Sequence, residues 1–175
     1  MNNPKPQVLV GVVPGTAATV VEAAAGLADD LGADLVCATV DASSEKVEQR
    51  PDGTVVSAPI NPDLPFTETE EFDPRLRAEI AGVMDPLPVK WSVRALAGGP
   101  AQELARLADQ LDAALIVVGS RESGFRGSVE EFFTGSLSVQ LSHRQHRPVV
   151  IIPRKPVLDD DGLLPWEQVK DPSGG

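Results

Sequence analysis

Residues 7–40 read "QVLVGVVPGTAATVVEAAAGLADDLGADLVCATV". The stretch opens with a continuous apolar run, 7–13, of strand length, bounded by Pro14 and Gly15. Val20, Ala24, Leu27 and Leu31 then recur at helical spacing, with Thr16 placed to cap the helix and Gly32 to end it. A second apolar run, 34–40, follows. Two buried strands joined by a helix of this length predict a parallel, right-handed crossover.

The same rhythm returns further along. Asp73 and Pro74 suit the cap and first position of a helix whose apolar stripe is Leu76, Ile80 and Val83. "VKWSVRA" (89–95) alternates, with Val89, Trp91, Val93 and Ala95 on one face, as a strand does. Gly98-Gly99-Pro100 opens a helix carrying Leu104, Leu107 and Leu111. "AALIVVG" (113–119) is a fourth strand, Gly135-Ser136 begins a helix through Leu137 and Leu141, and "RPVVIIP" (147–153) is a fifth strand. The expected fold is therefore α/β: an open five-stranded parallel sheet with helices on both faces, of Rossmann-like type.

Between these elements lie two exceptions. Residues 42–71 form an acidic, proline-rich insertion, in which Pro51-Asp52-Gly53 between "KVEQR" and "TVVSAPI" predicts a hairpin. Residues 154–175 form a charged C-terminal tail, with Trp166 beside Leu163, Leu164 and Pro165 as a candidate surface anchor. The remainder, 1–153, reads as one domain.

Composition bounds what such a domain can do. Hydrophobic residues make up 42% of the 175, aromatics only 4%, and tyrosine is missing, so the core must be aliphatic. A formal charge of −11 speaks against nucleic acid and anionic membrane as partners. Cys37, the single cysteine, excludes an intrachain disulfide and reads as a small buried hydrophobe. The start of the chain has neither a membrane-length apolar run nor a cleavage pattern, which predicts a cytoplasmic protein. No metal site is expected: His143 and His146 share a helix face without a third ligand, and Asp159, Asp160 and Asp161 read as solvated charge. No nucleophile elbow, Walker-type phosphate loop or zincin helix occurs, so no catalytic residues are predicted.

In an open parallel sheet, ligands bind beyond the carboxyl ends of the strands, where the strand order reverses. The loop that stands out there is "GSRESGFRGSVEEFFTGS" (119–136), rich in glycine and serine but carrying Glu122, Glu130 and Glu131. Its glycines satisfy turn geometry whether or not a ligand is bound. The phosphate reading draws on Arg121 and Arg126 as cations, on Ser136 and Ser138 as donors, and on the helix that opens at Gly135.

The first strand with its helix, "AGGPAQELARLADQLDAALIVVGSR" and "GSLSVQLSHRQHRPVVIIP" together resemble the universal stress protein family over about residues 7–153. The resemblance implies the five-stranded sheet and a homodimer joined through the last strand, here Val149, Val150, Ile151 and Ile152. Some members bind ATP through a loop G-x2-G-x9-G-[ST]. By position, Gly119 matches its first glycine and Gly135-Ser136 its closing pair, but Glu122 replaces the second glycine, and twelve residues rather than nine precede Gly135. Gly124 and Gly127 keep a G-x2-G spacing within the longer loop. Where nucleotide-binding members carry an Asp at the end of the first strand, this chain has Val13.

The nucleotide site implied by the resemblance comprises Val12, Val13, Val40, Val118, Gly119, Arg121, Gly124, Gly127, Gly135, Ser136, Leu137 and Ser138. The leading expectation is a non-catalytic, dimeric stress-response or regulatory protein with a degraded or altered adenine-nucleotide pocket and no certain cofactor. The second keeps ATP as ligand, with slow hydrolysis. A third, a hydrolase, would rest on Asp41 as its acid.

Overall fold

Two apolar faces on each inner strand require two covering layers, and the four helices among the described residues provide them. The computed structural model describes residues 5–42, 44–49, 55–59, 72–120 and 136–153. In chain order the elements are β1 (Gln7–Gly11), α1 (Ala17–Asp30), β2 (Asp34–Asp41), β3 (Ser44–Gln49), β4 (Val55–Pro59), α2 (Pro74–Met84), β5 (Trp91–Ala97), α3 (Pro100–Leu111), β6 (Leu115–Gly119), α4 (Ser136–Arg144) and β7 (Val149–Ile152). Five strands form one sheet in the order β5-β2-β1-β6-β7, every neighbouring pair parallel. The expected α/β architecture is therefore present.

The alternation of side chains along each strand sorts the core into two clusters. Val8 and Val10 of β1, Leu35 and Cys37 of β2, and Val117 of β6 pack under α1 and α2. Leu9, Val36, Ala38, Val40, Leu96, Ile116 and Val118 point the other way, under α3 and α4. Leu9, Leu35, Ile80, Leu104 and Leu141 are fully buried. Each such side chain contributes about 1.5–3 kcal/mol relative to exposure. Small residues on α1 (Ala17, Ala24, Ala25, Ala28) bring that helix close to the sheet.

The helix ends follow their sequence signals with one exception. Asp73 accepts from the Arg75 N–H (2.8 Å) and caps α2, with Pro74 at its first position. Gly32, at φ +60°, terminates α1, and its N–H donates to the Asp29 carbonyl (2.9 Å). Thr16, expected to cap α1, holds the N-cap position but makes no side-chain capping bond. A carboxylate from α2 performs that task instead.

Strand limits also shift. β1 stops at Gly11 rather than residue 13, because Pro14 and Gly15 turn the chain. β5 runs from Trp91 to Ala97, later than expected. Its opposite face is buried by Leu96, which the alternation upstream did not reveal. β7 begins at Val149 because Arg147 is engaged elsewhere. The Arg147 Nε donates to the Ala113 carbonyl (2.7 Å), and its guanidinium meets Asp109 and Asp112.

The insertion contains the expected hairpin: β3 and β4 pair antiparallel, with a register shift between Lys46 and Glu48. The hairpin lies against β5. Its turn, and the tail with Trp166, lie outside the described residues.

Candidate functional site

The strand order locates the site. From β1 the chain moves outward to β2 and β5, then returns to β1's other side with β6 and continues outward to β7. The order reverses between β1 and β6, so a crevice is expected beyond their carboxyl ends. In register, Gly11 stands opposite Ala38, Val10 opposite Val117, and Gly119 opposite Ile152.

β1 ends in a tight approach. A Cβ on Gly11 would stand 3.2 Å from Leu104 Cδ1 and 3.6 Å from Val118 Cγ1, so α3 packs directly on this glycine. Past Gly11 the chain stays attached to the sheet for one more residue, the Val12 N–H donating to the Ala38 carbonyl (2.8 Å). Val12 is buried on the α1–α2 side, while Val13 is half-buried. Val40, Val118 and Leu137 come together in the cluster under α3 and α4.

Gly119 closes β6, and the next N–H, of Ser120, donates to the Ile152 carbonyl (2.7 Å). Ser136 opens α4 and Ser138 lies half-buried in its first turn. Arg121, Gly124, Gly127 and Gly135 lie outside the described residues. The described members of the expected set thus fall at or just past the carboxyl ends of β1, β2 and β6 and in the first turn of α4, with Val12 facing the opposite layer from Val40, Val118 and Leu137.

Two acidic residues at this end were not anticipated. Glu79, on α2, accepts from the N–H groups of Gly15 (3.2 Å), Ala17 (3.0 Å) and Ala18 (3.3 Å). Its sequence signal was faint: it sits between the buried Leu76 and Ile80, beside the stripe that faces α1. Glu103, in the first turn of α3, is a buried charged residue, only 8% exposed. It pairs with Arg106, which the i,i+3 spacing on one helix allows. Gly98, at φ +118°, passes directly over it and donates its N–H to the Asp41 carbonyl (2.9 Å).

The chemistry of this end is therefore apolar walls, backbone donors and engaged carboxylates. Among the described residues no three His, Cys, Asp or Glu side chains are grouped to hold a metal. No helix among them is long and apolar enough to cross a membrane. Cys37 lies inside the sheet, where burial pushes its thiol pKa up to about 12, so it is no nucleophile.

Comparison with known proteins agrees with this fold. The model of the universal stress protein family matches residues 6–153. A universal stress protein solved in complex with cAMP is 21% identical, with a TM-score of 0.54, over 86% of this chain and 98% of that one. The universal stress protein from Archaeoglobus fulgidus in complex with dAMP is 16% identical, with a TM-score of 0.50, over 84% of this chain and 97% of that one. A family protein from Burkholderia pseudomallei is 21% identical, with a TM-score of 0.54, over 85% and 96% of the two chains. No curated protein matches the chain. With the family match spanning nearly all of the folded region, and the sheet shared with these structures, this chain belongs to the universal stress protein family.

Proposed function

We propose that this protein is a non-catalytic, dimeric stress-response or regulatory protein whose adenine-nucleotide pocket is weakened or altered. The observation that carries this reading is the end of β1. Val13, half-buried and apolar, stands where nucleotide-binding members of the family carry an Asp. A lost hydrogen bond to a charged group costs about 1.5–3 kcal/mol, or roughly ten- to over a hundredfold in affinity. Glu122 pushes the same way, as a side chain and a charge where the family loop has glycine.

The sheet edges support the dimer. β5 has the β3–β4 hairpin against it, whereas β7 ends the sheet on the other side. Among the described residues no strand pairs with the outer side of β7, and Ile151 of β7 (50% exposed) and Val139 of α4 (54% exposed) present apolar side chains on the elements at that edge. Pairing β7 with its copy would satisfy the edge and cover Ile151.

A second reading, retained nucleotide binding, is favoured by the helix that opens at Ser136 and by the cAMP and dAMP carried by the structural neighbours. Calorimetric titration with ATP separates the two. The first reading expects no saturation below millimolar ATP, and micromolar binding would replace it with the second. Sedimentation equilibrium tests the dimer, and a monomer at tens of micromolar would refute that part.

A further inference from the structure

β7 is four residues long, the shortest strand of the main sheet, and among the described residues only β6 pairs with it. So short an edge strand has few bonds of its own to resist local opening. The connection that leads into it is bonded more densely. The Gln145 side-chain amide brackets the Arg147 backbone: its Oε1 accepts from the Arg147 N–H (2.6 Å) and its Nε2 donates to the Arg147 carbonyl (2.9 Å). A neighbouring strand would satisfy the same kind of backbone groups. The same Nε2 donates to the Leu141 carbonyl (3.2 Å) in the last turn of α4. The Arg147 side chain, 8% exposed, crosses to the segment just before β6. There its Nε donates to the Ala113 carbonyl (2.7 Å), and its guanidinium meets Asp109 and Asp112 at the end of α3.

We propose that Gln145 and Arg147 form a clasp that controls β7: closed, it fixes the strand on β6, and when it opens, β7 leaves the sheet as a unit. The carbonyls of Pro148 and Ile152 accept from the N–H groups of Ile116 (3.0 Å) and Ser120 (2.7 Å). By the two-residue alternation of a strand, the backbone groups of Val150 also face β6, while those of Val149 and Ile151 face the outer edge. A second copy can pair with Val149 and Ile151 only while β7 is in place. Clasp opening and subunit pairing are then mutually exclusive, and each suppresses the other. Gln145 and Arg147 are in this sense positioning residues for the edge. The clasp stands on its own hydrogen bonds, and its link to pairing rests in addition on the proposed dimer through β7.

The test is amide hydrogen exchange by NMR on the full chain, wild type against Arg147→Ala. Val150 and Ile152 report on β7, and Leu9 and Val10 of β1 report on global unfolding. In the wild type the β7 pair should exchange faster than the β1 pair, through local opening. In the variant Val150 and Ile152 should exchange about ten- to a hundredfold faster still, as the hydrogen bond from a charged group is lost. A purely global role for Arg147 would move only the β1 rates. Unchanged rates at Val150 and Ile152 would therefore overturn the clasp, as would a wild type in which both strands exchange together. Gln145→Ala leaves the Arg147 side chain in place and decides by the same criteria where Arg147→Ala does not fold.

Val149 and Ile151 address the pairing separately. As wild-type protein is raised from micromolar to near-millimolar concentration, their amides should become protected by about tenfold or more, and Val150 and Ile152 should slow with them. Protection at Val149 and Ile151 without that slowing overturns the mutual exclusion and leaves the dimer standing. Val149 and Ile151 unprotected at every concentration overturn both the link and the dimer through β7, and leave the Arg147→Ala comparison to decide the clasp.

Discussion

Gly11 offers the sharpest test of how the crevice is built, because its missing side chain is what lets α3 rest on β1. Replacing it by valine places three carbons where a Cβ alone would lie 3.2 Å from Leu104 Cδ1 and 3.6 Å from Val118 Cγ1. Leu104 is fully buried and cannot swing into solvent. Overpacking of this kind costs about 1–3 kcal/mol, offset by roughly 0.5–1 kcal/mol from removing a glycine within a strand. Gly11→Val should therefore destabilise by about 1–2 kcal/mol.

Leu104→Ala alone leaves a cavity and should cost about 2.7–5 kcal/mol. In the double variant the new valine enters that cavity, so the combined loss should fall short of the sum by about 1–3 kcal/mol. Urea unfolding at one protein concentration, with all four slopes equal, supplies the numbers. Costs that add within about 0.5 kcal/mol would refute the packing of α3 on Gly11, and with it this wall of the crevice.

Three further outcomes follow from the same packing. Arg147→Ala removes a side chain only 8% exposed and strands the Ala113 carbonyl, which should cost about 1.5–3 kcal/mol in the same urea assay. The exposed Asp109 and Asp112 add little to that loss, so high salt should leave most of it unchanged. Cys37 should resist a thiol reagent in the native protein at pH 8 and react only as fast as the protein opens. Its folded pKa is raised, so the neutral thiol is the form the fold prefers. Its contribution to stability is constant below the thiol's ordinary value of 9.0 and is lost as pH rises from there toward about 12. Ile151→Lys, at the half-exposed centre of β7, should yield a monomer in sedimentation equilibrium, and a dimer unchanged by it would move the interface elsewhere.

The sheet was legible because β1, β2 and β6 are nearly continuous runs of apolar residues, a signature that two-sided burial imposes. Asp73-Pro74, Gly32 and the Gly98-Gly99-Pro100 turn announced helix ends through local backbone chemistry, which needs no tertiary context. The hairpin in the insertion was readable for the same reason, from its turn residues. Glu79 was not readable as a cap, because its partners are more than sixty residues away and are brought to it only by the packing of α2 on α1. Val12 and Val40 show a related limit. Both lie at strand ends near one crevice, yet they face opposite layers, and adjacency in a list of site residues does not encode that. The ends of β5 and β7 moved because burial by Leu96 and the engagement of Arg147 are tertiary facts.

We propose that the crevice of this universal stress protein holds adenine nucleotide weakly or not at all. The most direct measurement is to denature freshly purified protein and quantify the nucleotide released, by chromatography, against the protein concentration. No more than a trace is expected. Release approaching one nucleotide per chain would contradict it, and would mean that the loop after β6 binds phosphate despite Glu122 and despite Val13.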